Sequence, residues 1–78
     1  MNGMTEKQVA EYTAIISSMT TEEINKRYEL NRTNRQKNLT CLVEKQASLN
    51  LEILFDREIN KRAAALMSNA LNELEFGA

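Results

Sequence analysis

Apolar residues in this chain recur at spacings of three and four, which is the period of a helix. Val9, Tyr12, Ile16 and Met19 form the first such stripe. Ahead of it stand Thr5 and Gln8, three apart as in a capping box, where a hydroxyl accepts from the N3 amide and the N3 side chain returns to the cap amide. The spacing predicts a first helix over about residues 5–19, ended by the polar pairs Ser17-Ser18 and Thr20-Thr21. Thr20 with Glu23 repeats the capping pattern, and Glu22 and Glu23 place negative charge at the positive end of a helix dipole. A second helix therefore opens near Thr21.

On a wheel turning about 100° per residue, Ile24, Tyr28, Leu42, Val43, Ile53 and Leu54 fall within about 60° of Leu39, with Leu49 just outside. One face persisting that far predicts a long helix over about 21–55. The stretch Asn31–Asn38 opposes this, because it has no apolar residue and its three asparagines compete for backbone hydrogen bonds. A break within 31–38 is the alternative. Past Phe55, Ile59, Ala63, Leu66, Met67, Ala70 and Leu74 centre about 100° from the earlier face. A new helix over about 57–75 begun at Asp56, a good N-cap, produces that shift. So does a heptad repeat, which drifts about 20° per heptad as a left-handed supercoil forms. Leu39, Gln46, Ile53, Asn60, Met67 and Leu74 stand at strict sevens, with Leu42, Leu49, Ala63 and Ala70 in companion positions; Asp56 and Asn60 interrupt the seam. Leu49, Leu51, Ile53 and Phe55 also alternate as a strand would, but a lone strand has nothing to pair with. The expected fold is all-α: one small domain over 1–78, of two to three amphipathic helices in a hairpin or small bundle with a coiled-coil-like seam, completed by oligomerisation.

Composition sharpens that expectation. Proline is absent and the two glycines, Gly3 and Gly77, lie at the chain's ends, so nothing in the interior breaks a helix. A chain of 78 residues buries only about 60–65% of its unfolded surface, and small domains make up the deficit with disulfides, metals or partners. Cys41 is the only cysteine and there is no histidine, which removes an internal disulfide and the usual zinc set. Association is the remaining device, so the expected partner is a second copy or another helical protein.

Ten basic residues against eleven acidic give no domain-wide basic footprint, and no apolar run has the length of a membrane span. The opening Met1–Lys7 lacks the layout of a secretory signal, which makes the cytoplasm the expected location and leaves the sequons at Asn31 and Asn38 without a role. Catalytic chemistry finds little to use. Without histidine neither a serine nor Cys41 has its usual base, and Cys41 reads as a small buried apolar residue on a helix. No glycine-rich loop cradles a phosphate, and the pairs Glu22-Glu23 and Glu73 with Glu75 read as solvated helix-end carboxylates. The expectation is a non-enzymatic protein with no cofactor and no metal.

Two functional readings remain. The first is a protein–protein interaction module, a small helical adaptor, chaperone subunit or inhibitor. Its surface would be the apolar positions Leu39, Leu42, Val43, Leu49, Ile53, Leu54, Phe55, Leu66 and Met67. The second starts from a local charge block, in which Lys26, Arg27, Arg32, Arg35 and Lys37 oppose only Glu29. The run Thr21–Asn34 resembles the start of a helix-turn-helix reader of the bacterial regulator type. That resemblance implies recognition residues at Arg32, Thr33, Asn34 and Lys37, within a motif at about 21–39, and a C-terminal dimerisation helix. Asn25, Glu29 and Arg35 depart from the family's small, glycine and aliphatic residues at its packing positions. On this alternative Lys26, Arg27, Arg32, Asn34, Arg35 and Lys37 would contact nucleic acid or an acidic partner.

Overall fold

Thr5 opens the first helix as its composition dictates. In the computed structural model, which describes residues 3–38 and 40–76 (72–76 by backbone alone), Thr5 Oγ1 accepts from Gln8 N at 3.1 Å and Gln8 Oε1 accepts from Thr5 N at 3.0 Å. Helix α1 runs Glu6–Ser17. It stops where Ser17 and Ser18 donate their hydroxyls to the carbonyls of Ala14 and Ile15, at 2.9 and 2.7 Å. Thr20 then caps α2, Thr21–Lys37, by accepting from Glu23 N at 3.1 Å. After a short connection comes α3, Leu42–Phe76, 35 residues long. Among the described residues there is no strand.

The arrangement is all-α, with α1 and α2 each packed on α3. Helix α2 runs antiparallel to α3: Thr21 bonds Arg62, and Asn31 bonds Ser48. Helix α1 runs back alongside α3, from Met4 near Asn50 to Ile16 near Leu54 and Glu58. The core is Ile16, Ile24, Leu54 and Phe55, surrounded by half-buried Met4, Val9, Met19, Tyr28, Leu51 and Ile59.

Two helix boundaries and two further expectations differ from the sequence reading. The expected long helix over 21–55 is broken, and the break falls at 38–41, beyond the asparagine-rich stretch. Residues 31–37 stay helical because their polar side chains find partners across the hairpin. Asn31 Nδ2 donates to Ser48 O and Ser48 Oγ donates to Asn31 Oδ1, both at 3.0 Å, and Arg35 pairs with Glu52 at 2.9 Å. Asn38 ends the helix, its backbone N–H and its Nδ2 both bonded to Asn34 at 2.8 Å. No new helix starts at Asp56, since α3 is continuous through it. The 100° jump in the apolar stripe marks a change of face along one helix. Third, Cys41 lies in the connection and is exposed, so it is not the buried helical residue expected. The turn that a helix-turn-helix needs near Glu29 is likewise replaced by uninterrupted α2.

One side chain holds the three elements together. Arg62 donates Nε to Glu58 Oε1 at 3.1 Å, Nη1 to Thr21 Oγ1 at 3.0 Å, and Nη2 to the carbonyls of Met19 and Ser17 at 2.6 and 3.3 Å. Helix α1 has no basic residue in its own last turn, so α3 supplies the cation that its carbonyl end favours. Beyond Arg62 the cover stops: every residue from Ala63 to Leu71 is exposed.

Candidate protein-interaction surface

The two sides of α3 carry different chemistry. Ser48, Leu51, Phe55, Glu58 and Arg62 point under α1 and α2, buried or half-buried. Leu42, Leu49, Ile53 and Met67 lie about 180° away on the wheel and face outward. They are 82%, 41%, 42% and 68% exposed, although each is large and apolar. Asp56, Asn60, Ala63 and Ala70, all exposed, share the stripe, which is the heptad seam of the sequence. The helix is therefore amphipathic inward and apolar again outward, and the outer stripe runs past the end of the three-helix region.

Of the apolar positions expected to bind a partner, Leu54 and Phe55 are corrected: at 3% exposure both belong to the core and cannot form a surface. Their neighbour Ile53 is on the outer stripe, because one residue along a helix turns the side chain by about 100°. Leu42, Leu49, Ile53 and Met67 are brought together on that stripe. Val43 flanks it, and Leu66 projects from the opposite side of the uncovered end at 70% exposure. Leu39 lies outside the described residues. The sequence reading missed an open groove of about 750 Å³ between the start of α1 and the start of α3. Met4, Tyr12, Leu42, Val43, Ala47 and Leu51 are among its lining residues, and it merges with the outer stripe at Leu42. Gly3, with φ +79°, turns the chain at its rim in the left-handed region that suits glycine.

The cations of α2 do not gather on one face. Arg35 is spent on Glu52, with both side chains largely buried, 15% and 16% exposed. Asn34 is spent on Asn38. Lys26, Arg27, Arg32 and Lys37 are exposed but spread around the helix, with exposed Leu30 between Lys26 and Lys37. Beside Arg32, the Tyr28 phenol is held above its ordinary value of 10.0, first by desolvation, then by the negative charges of Asp56 and Glu52 and a hydrogen bond to Glu52. Arg32 opposes that shift. Among the described residues no three acidic or thiol side chains cluster to hold a metal ion, and no helix is long and apolar enough to cross a membrane.

No protein family, curated protein sequence or solved structure matches the chain.

Proposed function

We propose that this chain is a non-enzymatic interaction module, a small helical adaptor or regulator that binds another protein through the outer face of α3. The observation that carries the reading is the outward apolar stripe Leu42, Leu49, Ile53 and Met67, which runs opposite the packed face of the same helix. Singly exposed apolar residues are ordinary, but a stripe in heptad register along one rigid helix is the pattern a second helix fills. The absence of histidine and of any phosphate-cradling loop supports a role without catalysis. The exposed cations of α2 would steer an acidic partner and set the rate of encounter more than the final affinity.

Photo-reactive side chains test this. Placed at 49, 53 or 67 in cells that carry the protein, they should form adducts. The same group at Glu11 or Thr33, exposed on α1 and α2, should not. Adducts from the α1 and α2 positions alone, or from none, would overturn the reading.

A further inference from the structure

The outer seam of α3 becomes complementary to itself when its direction is reversed. We infer that a second copy of the chain occupies this face, with the two α3 helices antiparallel about a two-fold axis near residue 58. The inference rests on the interaction reading above and adds to it the partner and the register.

In an antiparallel helix pair, the two core positions of the heptad face each other across the interface. With the axis near 58, Leu49 meets the partner's Met67 and Ile53 meets the partner's Ala63, large against large and large against small. Asp56 meets the partner's Asn60, so two of the three polar positions on the seam pair with one another near its centre, carboxylate to amide, while the third, Gln46, meets the partner's Ala70. Val43 and Leu71, 77% and 55% exposed, flank the ends of the seam opposite each other. Sliding one heptad either way sets the Asp56 carboxylate against the partner's Ile53 or against the partner's Met67. A parallel, in-register pair sets Asp56 against the partner's Asp56. Both arrangements bury an uncompensated charge, which is the kind of penalty that fixes register in helical pairs. The unfavourable neighbour in the chosen register is Arg57, which falls beside its own counterpart at the axis. The adjacent Asp56 carboxylates of the two copies offset that repulsion.

The surface left open is large enough. The chain exposes 6124 Å², against about 4800 Å² for a compact folded protein of 8.9 kDa. That surplus, about 1300 Å² over the whole extended chain, is of the order of the roughly 800 Å² each partner contributes to an interface of standard size. The packing of α1 and α2 on the opposite side of α3 leaves the seam unobstructed, and α3 extends far enough past them to reach the partner's first turns.

Sedimentation equilibrium on the unaltered chain should give twice the 8.9 kDa of one chain, and Ile53→Asp should weaken association by about a hundredfold or more while keeping its helicity. Register is read from two single-cysteine chains made in a Cys41→Ser background, Leu49→Cys and Met67→Cys. Mixed, allowed to exchange and oxidised, they should cross-link. Each alone should not, because antiparallel packing sets like positions about 27 Å apart along the axis. Cross-linking of each chain alone would overturn the antiparallel register. A helical chain that stays at 8.9 kDa at all concentrations would overturn the second copy as occupant. In that case photo-adducts from 49, 53 and 67 with a different protein would leave the interaction reading standing, and their absence would remove both.

Discussion

Arg62 shows how much of this small fold rests on single polar side chains. Its guanidinium reaches the end of α1, the first residue of α2 and its own helix, and a hydrogen bond to a charged group is worth about 1.5–3 kcal/mol. Arg62→Ala should therefore destabilise the chain by about 2–3 kcal/mol in urea unfolding, and Arg62→Lys should recover only part of that, since a point charge cannot reproduce the fork. Tyr28 makes a pH-dependent contribution. Its phenol is held protonated above 10.0, so the stability tied to the neutral form is complete below pH 10 and falls as pH rises through the folded value. Tyr28 and Tyr12 are the only tyrosines, so in Tyr12→Phe the rise of tyrosinate absorbance reports Tyr28 alone and should have its midpoint above 10.0. A midpoint at or below that value would mean that neither desolvation nor the charges of Asp56 and Glu52 raise it. Neither contact was legible in the sequence. Arg62 and Thr21 are 41 positions apart, and no local pattern links them.

At the scale of the element, signals contained within a few residues are legible in the sequence and long-range ones are not. Thr5 with Gln8 and Thr20 before Glu23 are complete statements within four residues, and both caps form. The apolar face predicts one helix over 21–55, with a break within 31–38 as the alternative because asparagine favours turns. Asn31 is held in the helix by Ser48, a partner 17 residues away, so the turn waits until Asn38. Ser48→Ala should cost about 1–2 kcal/mol, because it leaves the Asn31 carbonyl short of its buried donor. The heptad seam is legible in the sequence, but the inward apolar face beside it is not separable from it by spacing alone. Leu54 and Phe55 belong to the inward side, and Ile53 beside them does not. The continuity of α3 has its own consequence, since its middle packs against α1 and α2 while residues 63–71 are exposed. In a dilute sample, amide exchange across 64–71 should be far faster than across 50–60, and it should slow as concentration rises and the bare end gains a neighbour.

The whole molecule is extended where a compact domain of its length would be round. Its radius of gyration is 15.7 Å, against about 11.5 Å for 78 residues packed globularly, and its long dimension of 54 Å is set by α3. Among the described residues only four apolar side chains are buried, so the interior they build is small. Stability and association are then expected to be coupled, because Leu42, Leu49, Ile53, Leu66, Met67 and Leu71 on α3 stay exposed beside so small a core. Two substitutions at adjacent positions separate the contributions. Leu54→Ala removes a core side chain and should cost about 2–5 kcal/mol, enough to unfold much of the chain at any concentration. Ile53→Asp touches only the outer face and should leave the dilute chain as helical as before. What it should remove is the dependence of the melting temperature on protein concentration, which a partner bound to the folded state alone must produce. Melting followed by circular dichroism over a hundredfold dilution measures both. A wild-type Tm that does not move with dilution would mean that the three helices are self-sufficient and that the stripe on α3 contributes nothing to holding them together.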